Sequence, residues 1–208
     1  MNIEELEKLK IDALENHIPI IMDDTLEKIA EILQKEKPTR ILEIGTAVGY
    51  SASQFAKYTD ENCIIDTIEI DEERAKQAIK NIEKIGFSSR INVMIGNAVD
   101  ILPTINENYD IVFIDAAKGK YPIFLNEALR LINKNGLILA DNILYKGYVM
   151  SDYNKHKQRT AVRHLREYIA QITGTENLET EILEIGDIYV KKRISYKSNA
   201  NFIYNGFW

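Results

Sequence analysis

Asp115 ends the apolar run Ile111-Val-Phe-Ile114, and Asp141 with Asn142 ends the run Leu137-Ile-Leu-Ala140. Runs that are apolar at every position are what central strands covered on both faces require. Neighbouring strands lie roughly 5 Å apart, so two adjacent strand ends can bring three oxygen ligands to one point. Two carboxylates and an amide suit a hard cation such as Mg²⁺, leaving positions for water and substrate oxygens. Zinc is not implied, because His17, His156 and His164 lack site-like spacing with the single cysteine, Cys63. Asp and Asn also commonly cap helices that follow strands, and each of the three taken alone fits that role as well. Lys118 is a candidate base. Beside a divalent cation its ammonium form is disfavoured, so its pKa should fall towards neutrality. A solvated surface lysine, the role expected of Lys120, is the alternative.

A second group lies upstream, where Arg40-Ile-Leu-Glu43-Ile runs into a turn bearing Gly45 and Gly49, with a helix from about Ser51. Glycines let a backbone approach a ligand where a Cβ would collide, and a helix start directs N–H groups at it. The spacing G-x-x-x-G differs from the G-x-G-x-x-G of a dinucleotide loop, and Glu43 before the turn suits a cofactor carrying positive charge. Glu69 closes the next strand, where a carboxylate can accept two ribose hydroxyls. Capping of the helix that follows is the other role for Glu69, although Asp71 and Glu72 stand in better positions for it.

The elements that must position these groups alternate along the chain. Strand-like runs at Ile41–Ile44, Ile64–Ile68, Ile91–Ile95, Ile111–Ile114 and Leu137–Ala140 are separated by helix-patterned segments, which reads as α/β with a parallel sheet. Glu179–Ile185 and Asp187–Lys192, joined at Gly186-Asp187, read as a hairpin that adds an antiparallel pair to the sheet edge. With 208 residues, 45% hydrophobic, the chain can bury one core, and it has no apolar run long enough for a membrane span. Residues 1–193 are expected to form a single domain with an N-terminal helical segment. Residues 194–208 form a tail with five aromatics, no acidic residue and no assigned role. The N-terminus lacks a secretory pattern and Cys63 cannot form an internal disulfide, so a soluble, cytoplasmic protein is expected.

Taken in order, Glu43-Ile-Gly45, Gly49-Tyr-Ser51, Glu69, Asp115, Lys118 and Asp141-Asn142 resemble the motifs of the cation-dependent S-adenosylmethionine O-methyltransferases related to catechol and caffeoyl-CoA methyltransferases. The resemblance covers roughly Ile18 to Arg193. It implies a class I methyltransferase, Rossmann-like fold: a mostly parallel seven-stranded sheet with a C-terminal antiparallel hairpin and helices on both faces. For the cofactor it implies Met22, Glu43, Gly45 and Ser51 around S-adenosylmethionine, Glu69 on the ribose, Asn97 and Ala98 by the adenine, and Asp115 facing both cofactor and metal. It also implies Mg²⁺ or another hard divalent cation on Asp115, Asp141 and Asn142, with Lys118 as base. Family members often have Asp where Asn97 stands, and an amide can still donate or accept hydrogen bonds there. Relatives are usually dimers, so a homodimer is expected.

Chelation asks for two adjacent oxygens, which catechols, caffeoyl esters and 5-hydroxyuridine can all present. The segment after the metal ligands narrows the choice. Between Tyr145 and Arg166 six Lys or Arg residues face one Asp, in a chain of net charge −6. Tyr145, Tyr148 and Tyr153 interleave with these cations, a pattern suited to stacking a splayed base while Lys146, Lys155, Lys157, Arg159 and Arg163 meet phosphates. An ordinary basic helix whose Val162, Leu165 and Ile169 face the core gives part of the same pattern. The segment resembles most the bacterial tRNA 5-hydroxyuridine methyltransferases, which implies tRNA as partner. A small catechol or phenol is the alternative substrate.

Overall fold

Strands form where the apolar runs stand, because their side chains can be buried on both faces. The computed structural model describes residues 1–143, 148–149, 151, 159–174, 179–183, 193–195 and 200–205. The chain divides into two compact units, Met1–Ile101 and Leu102–Trp208. In the first, β1 (Arg40–Ile44), β2 (Ile64–Glu69) and β3 (Ile91–Ile95) pair in parallel in the order β3-β2-β1. Every residue of β1 after Arg40 and of β2 after Ile64 is buried.

The helices of this unit are α1 (Ile3–Glu15), α2 (Asp23–Glu36), α3 (Tyr50–Lys57), α4 (Glu72–Ile85) and the single turn α5 (Ala98–Ile101). α4 shows why these segments are helical. Ala75, Ala78, Ile82 and Ile85 are buried at spacings of three and four residues, which form one stripe at 3.6 residues per turn. Its start is capped by Asp71, whose carboxylate accepts from the amides of Glu73 and Arg74 at 3.0 Å, and Gly86 ends it at φ +90°.

In the second unit, β4 (Tyr109–Ile114) and β5 (Ile132–Ala140) are parallel, with Ile111 opposite Leu137 and Ile114 opposite Ala140. α6 (Tyr121–Leu131) connects them and α7 (Arg159–Gly174) packs on α6. β6 (Glu179–Leu183) pairs antiparallel with β7 (Arg193–Ser195), so an antiparallel pair is present after α7. The expected partner strand Asp187–Lys192 lies outside the described residues.

β8 (Ala200–Asn205), from the segment expected to be a tail, runs parallel to β5 and β6 and antiparallel to β7. The described residues therefore contain eight strands, three in the first unit and five in the second, where seven were expected. The reason is local. Phe202-Ile-Tyr204 is a run of aromatic and β-branched residues, which suit a pleated, half-buried surface. Among the described residues, no helix is long and apolar enough to cross a membrane.

One expectation about the glycine turn changes. Gly49 sits at φ +84°, and a Cβ there would lie 3.3 Å from Ala78 Cβ and from Ile82 of α4. Its missing side chain serves close packing of α4 and a left-handed backbone, where approach of a ligand had been expected. Gly49→Ala should therefore destabilise the protein by about 1–2 kcal/mol from the backbone alone, with crowding against Ile82 adding to it. Urea unfolding measures this, and an unchanged midpoint would show that α4 yields freely.

Candidate active site

Two buried acidic residues of the first unit, Glu43 and Glu69, lie at the carboxyl ends of β1 and β2. Glu43 is fully buried, and its Oε2 accepts from the Thr67 hydroxyl at 2.5 Å across the β1–β2 pair. Thr67 is in turn 2.6 Å from the Thr46 hydroxyl in the turn. Glu43 thus supports the turn from beneath rather than presenting its carboxylate at the surface. The turn folds back on β2: the amides of Gly45 and Thr46 both donate to the Ile68 carbonyl. Gly45 adopts φ +112° and Ala47 φ +47°.

Glu69 ties the turn to the next strand. Its Oε2 accepts from the Ala47 amide at 2.8 Å and its Oε1 from the Asp71 amide at 3.0 Å. Asp71 itself caps α4, so the helix-capping task belongs to Asp71 and the Glu69 carboxylate is held in place by two backbone amides. A carboxylate offers about four acceptor positions, which leaves Glu69 capacity for two hydroxyls. Of the other residues expected about the cofactor, Ser51 lies in the first turn of α3, Asn97 accepts from the Val99 amide at 3.1 Å at the start of α5, and Ala98 is buried. Met22, just before α2, is 59% exposed. Ile70, next to Glu69, is 68% exposed, and Ile95, opposite Glu69 on β3, is 44% exposed. These exposed apolar side chains beside a fixed carboxylate were not singled out in the sequence, where they read as ordinary strand residues.

In the second unit the strand ends meet as expected. Asp115 and Asp141 each follow directly on the paired residues Ile114 and Ala140, and the Asp141 amide donates to the Ile114 carbonyl at 3.0 Å. Among the described residues, no helix starts at Asp115 or Asp141. The short 3₁₀ turn Lys118–Lys120 begins after Ala117, without a side-chain cap. Asn142 is exposed and left-handed at φ +59°, a conformation asparagine tolerates better than most residues. Among the described residues, no group of three or more His, Cys, Asp or Glu side chains could hold a metal ion. The set at these strand ends is instead two carboxylates and an amide, a donor set of oxygens that fits a hard cation.

Lys118 is held among these groups. Nζ donates to Asp115 Oδ1 at 3.1 Å, to the Tyr121 hydroxyl at 2.8 Å and to the Asp141 carbonyl at 3.1 Å. Its side chain is 16% exposed, which removes the solvated-surface role. The fall in its pKa expected from the sequence is not what the protein's own groups produce. Burial works against the ammonium, but Tyr121, Asp115 and Asp141 outweigh it and hold the pKa above the ordinary lysine value. Any fall has to come from the charge of a cation. Tyr121 is fully buried, and burial raises its hydroxyl pKa, so it stays neutral.

Of the basic residues expected to meet RNA, Arg159 and Arg163 are exposed on α7. Arg163 also faces Glu167, with Nε 3.6 Å from Oε1. Lys146, Lys155 and Lys157 lie outside the described residues. Sequence reasoning missed two residues here. Tyr121 carried only the helix-start signal of the following Pro122. Arg166 donates to the carbonyls of Val149 at 3.0 Å, Tyr148 at 3.2 Å and Ser151 at 2.5 Å, fastening the segment beyond Asn142 to α7. Backbone partners leave no side-chain pattern from which this could be read.

Residues 3–194 match a family model described as O-methyltransferase. The chain is 33% identical over 164 residues to a catechol O-methyltransferase of Niastella koreensis, covering 77% of this chain and 72% of that protein. Among solved structures it resembles an O-methyltransferase from Bacillus cereus in complex with SAH, at 26% identity and TM-score 0.79, over 86% of this chain and 83% of that one. It also resembles the O-methyltransferase TomG from Streptomyces achromogenes, involved in tomaymycin synthesis and solved with SAM, at 25% identity and TM-score 0.79, over 90% and 86% of the two chains.

Because Arg166 satisfies three carbonyls, Arg166→Ala should cost about 1–3 kcal/mol of stability. Faster proteolytic cleavage within residues 148–151 at unchanged temperature would report the released segment directly. Equal cleavage rates in variant and wild type would remove this role from Arg166.

Proposed function

The chain belongs to the O-methyltransferase family, and from that premise we propose that it moves the methyl group of S-adenosylmethionine to the 5-hydroxyl of 5-hydroxyuridine at the tRNA wobble position, giving 5-methoxyuridine. The observation that carries the chemistry is the pairing of Asp115 and Asp141 at equivalent ends of β4 and β5 with Lys118 Nζ held between them. Asp115, Asp141 and Asn142 are the residues that would hold Mg²⁺ or another hard divalent cation. When bound, such an ion supplies positive charge that favours loss of a hydroxyl proton.

The chain's own residues supply the rest. Lys118, once its ammonium has given up a proton to solvent, accepts the hydroxyl proton at Nζ as the neutral amine, the acceptor oxygen bonds to the methyl carbon, and the sulfur–methyl bond breaks to leave S-adenosylhomocysteine. Glu69 orients the donor through the ribose hydroxyls. Met22 and Ser51 flank the donor, Ile70 and Ile95 offer apolar surface beside Asn97 and Ala98 for the adenine, and Glu43 and Gly45 shape the turn. Holding sulfur, methyl and oxygen in line can contribute roughly 7–11 kcal/mol of the barrier.

The choice of tRNA rests on the exposed Arg159 and Arg163 of α7 together with Lys146, Lys155 and Lys157 in the sequence before it. A second reading, a small catechol or phenolic acceptor, is favoured by the relative named catechol O-methyltransferase.

Both acceptors can be offered to the protein with S-adenosylmethionine, with Mg²⁺ or with chelator, and the products read by mass spectrometry. The proposal expects 5-methoxyuridine in tRNA that carries 5-hydroxyuridine, only with metal. Methylated catechol with unmodified tRNA would move the function to the second reading. Neutralising Arg159 and Arg163 together should lower tRNA affinity and reduce its salt slope by about 2, while a salt-independent interaction would remove the phosphate contacts.

A further inference from the structure

Tyr121 touches Lys118 and the ends of both β4 and β5. It opens α6, and Pro122 next to it fixes the backbone at the helix start. Its ring is fully buried and meets Tyr168 of α7 edge to face, with centroids 5.5 Å apart at 72°. Phe124 lies 6.5 Å away. A ring clamped in this way places its hydroxyl with little freedom.

The hydroxyl stands where three elements converge. It donates to the Asp141 carbonyl at 2.7 Å, with the Ile114 carbonyl at 3.1 Å, and it accepts from Lys118 Nζ at 2.8 Å. The Lys118 nitrogen also lies 4.9 Å from the ring centroid. Of the three acceptors around Nζ, Asp115 is 36% exposed on the segment after β4 and the Asp141 carbonyl belongs to the end of β5. Tyr121 is the one side-chain acceptor of the three that packing immobilises.

We propose that Tyr121 is a positioning residue for methyl transfer, fixing Lys118 Nζ against the ends of β4 and β5. The proposal rests on the reading of Lys118 as the proton acceptor. It differs from a purely structural role, because the oxygen that bonds the two strand-end carbonyls also sets the lysine, and that second task is read in kcat and in the position of Nζ.

Tyr121→Phe removes that oxygen and keeps the ring. The variant should keep its fold with a lowered melting temperature, since three buried hydrogen bonds go, and keep KM and S-adenosylhomocysteine affinity, while kcat falls roughly 10- to 100-fold, the scale of a misplaced reacting group. In the Lys118→Ala background the same change should have no further effect, because the group it positions is gone. A crystal structure of Tyr121→Phe should show Nζ displaced by more than about 0.5 Å, the tolerance of a productive site. Wild-type kcat in Tyr121→Phe with a slow Lys118→Ala overturns the positioning role alone. Undiminished turnover in Lys118→Ala overturns the reading of Lys118 and the proposal with it. Additive losses, or Nζ unmoved in the variant structure, also overturn it.

Discussion

A buried ammonium must find acceptors for all three of its N–H groups, and the second unit is arranged around meeting that requirement for Lys118. An uncompensated charge at such a position would cost several kcal/mol. The acceptors come from three places in the chain: a carboxylate after β4, a backbone carbonyl after β5 and the phenol that opens α6. They can coincide only if β4 and β5 are parallel, adjacent and in the register that sets Ile114 opposite Ala140. The crossover through α6 delivers that register, and α7 holds the phenol ring from behind.

The first unit solves a different problem with the same means. Two of its buried carboxylates, Glu43 and Glu69, are engaged by a strand hydroxyl and by backbone amides. Glu69 is held by two amides, one from the turn after β1 and one from the start of α4, and Glu43 by Thr67 beneath the turn. The two units thus offer complementary chemistry. One holds a rigid carboxylate bordered by apolar side chains, and the other holds a lysine on a carboxylate, a backbone carbonyl and a phenol.

The parallel strands and the placement of the two aspartates at their ends were legible in the sequence, because burial on both faces forces uninterrupted apolar runs and such runs end abruptly at a charged residue. Glu69 and Lys118 were legible for the same reason: each sits at or just beyond the end of such a run. What could not be read depends on partners with no side-chain signature. Arg166 binds carbonyls, Tyr121 binds a carbonyl and a lysine three residues away, and the crowding at Gly49 comes from a helix more than twenty residues downstream. β8 escaped notice because a short aromatic run near the end of a chain reads equally as a tail. The sequence also does not show that Tyr121 and the two aspartates hold the Lys118 pKa up against burial, so that a fall depends on the charge of a cation.

The claim on which the account turns is that the ends of β4 and β5 form one cation site. Titration of the purified protein with Mn²⁺, followed by electron paramagnetic resonance of the free ion, tests it without reference to any substrate. Wild type should bind a single ion per chain, and Asp141→Ala should lose that binding while keeping its fold by circular dichroism. Undiminished stoichiometric binding in Asp141→Ala would place the ion elsewhere and contradict the account.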